Sequence, residues 1–254
     1  MVGRMIITDL DHTLLRDDKC ISAYTVSVLS RCRDAGMFVA FATARSERAM
    51  VRFIQAIQPD AIISNGGATI RVQGRLIHQN LLPQEDVVTI LGMCQQFTAG
   101  RGLITVESED GYYCNFVPTD PDRRAAFIYS DFADFRKPAY KITAELETEW
   151  GEAIARACND CRVVSFSREK WRRFAAEGAD KGTALRVLCE NMGIDPAHVI
   201  AFGDDWNDLG MLELAGTAVA VSNAIEEVKD VADHITDSND HDGVARFLEG
   251  VMCG

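Results

Sequence analysis

The sequence predicts an α/β protein: a doubly wound, Rossmann-like parallel-sheet core with an inserted α+β cap. Three observations carry that expectation. Short continuous apolar runs alternate with helix-period segments near the N-terminus, and the same alternation returns near the C-terminus. Between them the aromatic content rises, and turn signals separate short strand-like runs.

In chain order, residues 5–8 read as a buried strand and 22–35 as a helix stopped by Gly36. Residues 37–42 follow as a second strand. A helix over 46–57 places Ala49, Met50, Phe53, Ile54 and Ile57 on one face, and 61–63 form a third strand. Continuous apolar strands joined by amphipathic helices imply a parallel sheet covered on both sides, with right-handed crossovers. At the other end, 181–192 has helical spacing closed by Gly193, and 199–202 is a strand. Segments 209–215, 218–221, 224–232 and 234–236 continue the alternation. The middle holds helix-like stretches at 84–96 and 120–132, with strands at 103–107, 112–117, 140–146 and 162–166. The expected organisation is a core over 1–82 and 175–254, interrupted by a cap over 83–174.

The 254 residues carry 26 Lys and Arg against 38 Asp and Glu, a net charge of −12. Such a balance repels nucleic acid and anionic membranes, so any phosphate must be met by local groups or a bound cation. No run approaches the length of a membrane span and no apolar leader precedes Asp9, so the expected compartment is cytoplasmic. The 8 cysteines read as reduced structural thiols. The pair Cys158 and Cys161 lacks the second pair a zinc site needs and reads as a helix-end turn.

Chemistry concentrates where the strands end, the edge at which open parallel sheets bind ligands. The first strand runs into Asp9-Leu10-Asp11-His12-Thr13, the second into Thr43-Ala44-Arg45, and the third into Ser64-Asn65-Gly66-Gly67. The strand at Val199 runs into Gly203-Asp204-Asp205-Trp206-Asn207-Asp208. Carboxylates gathered in this way repel one another unless a cation sits among them, and hard oxygen donors suit Mg²⁺. A nucleophilic carboxylate, a second carboxylate to move the proton, a metal and a lysine are the parts of phosphoryl transfer. Lys181, at a helix start shortly before the acidic strand, is the lysine candidate.

At these residues the sequence resembles the haloacid dehalogenase superfamily. Asp9-x-Asp11-x-Thr13, Thr43, Lys181-Gly182 and Gly203-Asp204-x-x-Asn207-Asp208 match its four motifs in order. Asn65-Gly66-Gly67-Ala68 and the placement of the cap resemble the Cof-type branch with a C2B cap.

The resemblance implies that Asp9 is the nucleophile and a Mg²⁺ ligand. Asp11 is then the acid and base, binding the metal through its backbone carbonyl. Thr43, Ala44, Lys181 and Asn207 hold the phosphoryl group, Asp204 completes the metal site, and Asp208 supports it from behind. Two positions depart from the commonest pattern, His12 and Ala44 each standing where glycine is usual. His12 is expected to fit its loop, with substrate contact the alternative.

Arg45 is expected to pair with an acid or cap its helix, and Asp205 to face either solvent or site. His78, His198, His234 and His241 read as structural, and Trp171, Arg172 and Arg173, near the end of the cap, are expected either to reach into the cleft or to be ordinary exposed residues of a cap strand. The expected function is Mg²⁺-dependent hydrolysis of a small phosphorylated metabolite, a sugar phosphate foremost, through an aspartyl-phosphate. The alternatives are a phosphomutase using the same intermediate, or a phosphoaspartate receiver without turnover.

Overall fold

Two β-sheets organise the chain in the computed structural model, which describes residues 5–119, 121–166 and 169–253. The larger sheet has eight strands. At its centre lies β1 (Met5–Thr8), buried on both faces, flanked on one side by β2 (Phe38–Ala42) and β3 (Ala61–Ser64). Next in the chain come β4 (Thr69–Val72) and β5 (Arg75–Gln79), which complete that side. The other side of β1 holds β12 (Val199–Gly203), β13 (Thr217–Val221) and β14 (His234–Thr236). From β14 to β3 every pairing is parallel.

The two halves of the chain thus diverge from β1 and β12, and right-handed crossovers send their helices to opposite faces. On one face α1 (Ala23–Asp34) packs with α2 (Val51–Ile57) and α9 (Gly243–Cys253). On the other, α6 (Lys181–Met192) packs with α7 (Leu209–Leu214), which also touches α8 (Glu226–Val231). The helix termini follow the local chemistry. Ser22 caps α1 by accepting from the Thr25 amide, Asp180 caps α6 by accepting from the Thr183 amide, and Gly193 ends α6 in a left-handed turn. Between α6 and α7 the backbones touch: a Cβ at Gly182 would lie 2.7 Å from the Gly210 carbonyl carbon.

The second sheet has six strands, in the order β10 (Arg162–Phe166), β11 (Glu169–Ala175), β9 (Lys141–Glu145), β6 (Ile104–Glu107), β7 (Tyr112–Cys114), β8 (Phe127–Tyr129). Its pairings are antiparallel except for β7 with β8. Helices α3 (Gln84–Phe97) and α5 (Thr148–Arg156) cover one face. There Val87, Ile90, Leu91, Ile142, Ile154 and Phe174 form a core separate from that of the larger sheet. The opposite face is polar and is turned to the larger sheet.

Several expectations change. The larger sheet is mixed, because the Asn65-Gly66-Gly67 turn reverses the chain and adds β4 antiparallel to β3, and Gln73-Gly74 then turns it again into β5, antiparallel to β4. The helix expected over 46–57 is broken into a 3-10 turn (Glu47–Met50) and α2, and the Ala49 carbonyl at the break accepts from Arg45 Nη1 at 3.2 Å. The helix expected over 120–132, whose first residue lies outside the described residues, stops after α4 (Pro121–Ala126). Phe127–Tyr129 then pairs with β7, as an aromatic and branched run favours. The strand expected over 112–117 ends at Cys114. The elements α5, β11 and α9 are additional to those expected.

Candidate active site

The carboxyl edge of the larger sheet gathers the acidic residues because β1 and β12 lie side by side and end together. Past β1 the Asp9 amide donates to the Phe202 carbonyl at 3.0 Å, and the chain turns tightly, the Leu15 amide donating to the Leu10 carbonyl at 2.7 Å. His12 takes the left-handed conformation there, with φ 61°, the conformation a glycine would supply. Its carbonyl accepts from Asn223 Nδ2 at 2.8 Å and its Nδ1 lies 3.2 Å from Asp17 Oδ1, so local bonds hold the strained turn.

Lys181 enters from the first turn of α6 with its ammonium fully buried. Its Nζ donates to Asp9 Oδ1 at 2.7 Å and to Asp208 Oδ1 at 2.5 Å. The other Asp208 oxygen accepts from the Asp204 and Asp205 amides at 2.9 and 3.1 Å. Both Asp208 oxygens are therefore engaged, and the residue fixes both the lysine and the turn that carries Asp204. Asp204 Oδ1 accepts from the Thr13 hydroxyl at 2.9 Å. Carboxylate oxygens of Asp9, Asp204 and Asp208 lie within 4.8 Å of one another. Three carboxylates against one ammonium leave an excess of negative charge that a divalent cation would balance. Burial raises the Asp9 carboxyl to about 7, the charges of Asp208 and Asp11 adding to it and Lys181 opposing. The same carboxylates hold Lys181 above its ordinary value, although burial alone would lower it.

Asp11 points elsewhere. Arg45 Nε and Nη2 donate to its two oxygens at 2.6 and 2.8 Å, and Lys19 Nζ donates at 3.1 Å. Burial acts to raise the Asp11 carboxyl, but Arg45 and Lys19 outweigh it and hold it far below the usual carboxylate range. Thr43, buried at the end of β2, accepts the Arg45 amide on its hydroxyl at 3.1 Å. The Asn65 amide donates to the Arg45 carbonyl, and the Gly66 amide to the Thr43 carbonyl, so the Asn65-Gly66-Gly67 turn braces the loop after β2.

A cavity of about 410 Å³ opens above these groups. Asp9, Asp11, Thr43, Ala44, Asp204 and Asn207 form its floor. Thr105, Glu107, Lys141, Thr143, Trp171 and Arg173, from the polar face of the second sheet, form its roof. Among the contacts that tie the second sheet to the larger one are Lys141 Nζ to the Ala44 carbonyl at 2.5 Å, Arg48 Nη1 to Glu107 Oε1 at 2.5 Å and Arg48 Nη2 to the Glu109 carbonyl at 2.9 Å.

The arrangement thus brings Asp9, Asp11, Thr43, Ala44, Lys181, Asp204, Asn207 and Asp208 to one place. Of the two options for Arg45, the structure selects pairing with an acid. Asp205 caps the short turn Trp206–Asp208. Arg172 lies buried with its Nη2 on the Thr148 hydroxyl, while His78, His198, His234 and His241 stay off the cavity wall. The turn at Cys158 and Cys161 follows the end of α5, its amides at Asn159 and Asp160 held by Asp86.

Residues 6–248 match the family model described as haloacid dehalogenase-like hydrolase. The chain belongs to this family. Among its relatives this HAD-like hydrolase is 28% identical to 5-amino-6-(5-phospho-D-ribitylamino)uracil phosphatase YitU of Bacillus subtilis, over 96% of each chain. It is also 28% identical to HMP-PP phosphatase of Escherichia coli, over 92% of this chain and 89% of the relative. Among solved structures, a haloacid dehalogenase-like hydrolase from Bacteroides thetaiotaomicron superposes with TM-score 0.84 at 28% identity, covering 98% of this chain and 99% of the other. A HAD subclass IIB sugar phosphatase superposes with TM-score 0.87 at 21% identity, over 98% and 99%, a likeness of fold. No described helix of the HAD-like hydrolase is long and apolar enough to cross a membrane.

Proposed function

We propose that the protein is a Mg²⁺-dependent phosphatase that hydrolyses a small phosphorylated metabolite, a sugar phosphate foremost, with residues 83–174 acting as a cap. The observation that carries this reading is the buried Lys181, which draws Asp9 and Asp208 together beside Asp204 beneath a roofed cavity. The phosphatases among its relatives support the same reading.

The donor set fits the metal: Asp9 and Asp204 offer carboxylate oxygens, whereas both Asp208 oxygens are already engaged by Lys181 and backbone amides. Asp9, Asp204 and the Asp11 backbone carbonyl would hold the ion. When bound, Mg²⁺ supplies positive charge that offsets the carboxylates and the incoming phosphoryl group.

Asp9 attacks phosphorus through a carboxylate oxygen, and the bond from phosphorus to the leaving oxygen breaks. Asp11, in its acid form, gives that oxygen its proton. Asp11 then takes a proton from water as the water attacks the phosphoryl group on Asp9, which frees phosphate and restores Asp9. Lys181, the Thr43 hydroxyl and Asn207 hold the phosphoryl oxygens, and the roof excludes bulk water. The Arg45 grip on Asp11 belongs to the resting arrangement, and proton donation requires Asp11 to leave it.

The test is phosphate release from p-nitrophenyl phosphate and a sugar-phosphate panel, with and without Mg²⁺. Release that depends on Mg²⁺ and disappears in Asp9→Asn is expected, and full activity in Asp9→Asn contradicts the proposal.

A further inference from the structure

Arg173 stands on β11 beside Thr143 on β9, with Thr105 of β6 next in the same row across the roof. It is one of the largest fully buried side chains, 2% exposed, and it lines the cavity. Among the described residues, its Nε and Nη1 have no hydrogen-bond partner. The other Lys and Arg side chains on the cavity wall are engaged: Arg45 and Lys19 by Asp11, Arg48 by Glu107, Lys141 by the Ala44 carbonyl. Among the described residues, the acids whose charge reaches Arg173 are Asp180 and Asp208. Both are committed elsewhere, Asp180 to Arg162 at 2.8 Å and to the cap of α6, Asp208 to Lys181 and two amides.

Below the guanidinium lies Gly66. A Cβ built there would fall 1.3 Å from Arg173 Nη1, so the glycine leaves the space in which the cation sits. Burial, with Arg162 adding to it, lowers Arg173 to about 10, so it remains charged at neutral pH. An unpaired cation out of water is strongly unfavourable by itself, and an arriving anion relieves it. The planar fork of a guanidinium matches the oxygens of a carboxylate or a phosphate.

Position decides which anion. The transferred phosphoryl group is assigned to the floor, with Thr43, Lys181 and Asn207, whereas Arg173 descends from the roof, toward the remainder of the substrate. We propose that Arg173 recognises a second anionic group, so that preferred substrates carry a carboxylate or another phosphate besides the phosphoryl group transferred to Asp9. This rests on the phosphatase reading of the floor.

The test measures kcat/KM for two matched pairs in the wild type, Arg173→Lys and Arg173→Gln. Phosphoglycerate against glycerol phosphate reads the carboxylate, and a hexose bisphosphate against its monophosphate reads the second phosphate. The wild type is expected to favour the doubly anionic member of at least one pair by about tenfold or more, the size of one charged hydrogen bond. Arg173→Gln brings that ratio near unity, and Arg173→Lys gives an intermediate ratio. No wild-type preference in either pair overturns the proposal, as does a ratio unchanged in Arg173→Gln even when both rates fall. Thermal unfolding without ligand adds a second readout. Arg173→Gln melts no lower than the wild type if the cation awaits a ligand, and a clearly lower melting temperature assigns it a structural partner instead. Loss of turnover in Asp9→Asn with an unchanged ratio in Arg173→Gln overturns the Arg173 assignment alone. Retained turnover in Asp9→Asn overturns the reading beneath it.

Discussion

Arg45 grips Asp11 at two points, Nε to Oδ2 at 2.6 Å and Nη2 to Oδ1 at 2.8 Å, across 34 positions of sequence. The pair turns the proposed acid and base away from Asp9 and keeps it ionised. Its exposure sets the consequence: Asp11 is one-third exposed while Arg45 is buried at 8%, so the carboxylate is the partner free to swing. Arg45→Met removes the leading counterweight to desolvation. The Asp11 carboxyl is then expected to rise from far below the usual range toward or past its ordinary 3.8, read by a carboxyl-carbon NMR titration. An unmoved titration would show that Arg45 does not set the state of Asp11.

Lys181→Met leaves Asp9, Asp204 and Asp208 buried together without their cation. Removing one member of a buried ion pair costs about 3–5 kcal/mol. A loss of this order in urea unfolding is expected, partly restored by added Mg²⁺. Wild-type stability in the variant contradicts the electrostatic account of the floor.

Gly182→Ala places a methyl group where α6 meets the backbone of α7, 2.7 Å from the Gly210 carbonyl carbon. Overpacking of this kind costs about 1–3 kcal/mol. Because the shift moves the helix that carries Lys181, activity is expected to fall together with the urea midpoint. A neutral substitution would mean that the two helices have slack between them.

Asp242 joins the loop after β1 to the start of α9, accepting from Arg16 Nη2 at 2.6 Å and from the Thr25 hydroxyl at 3.2 Å. Burial opposes ionisation, but Arg16, Ser22 and Thr25 outweigh it and keep the carboxyl below its ordinary 3.8. The ionised form therefore stabilises the folded state, fully above pH 3.8 and progressively less as pH falls through the lower folded value. Asparagine tolerates the left-handed backbone at this position, φ 57°, so Asp242→Asn isolates the charge. The stability gap between the two proteins, at most about 1 kcal/mol for a pair whose arginine is partly solvated, should be present at neutral pH and close in acid. A gap independent of pH would refute the assignment.

What the sequence made legible was local. Asp9, Thr43, Lys181 and Asp204 each follow a strand or open a helix, so their convergence came directly from the βα alternation. Arg45 with Asp11 gave no such signal, because a pairing across two loops has no period. The strand β11 escaped for the opposite reason: its roof-facing Arg173 is charged yet buried, so Lys170-Trp171-Arg172-Arg173 shows no apolar alternation. The break in the 46–57 segment was equally hidden, since its apolar spacing is intact and part of its cause is a side chain, Arg45, taking the Ala49 carbonyl. The net charge of −12 gained a partial meaning, as some of those acids build the floor around Lys181.

The central claim is that Asp9 forms a covalent bond to phosphorus. Mass spectrometry of the protein quenched in acid during turnover tests it most directly. The account predicts one phosphoryl group on the peptide that contains Asp9, absent from Asp9→Asn. Turnover in the wild type with the phosphoryl group on another residue, or undiminished turnover in Asp9→Asn, would contradict it.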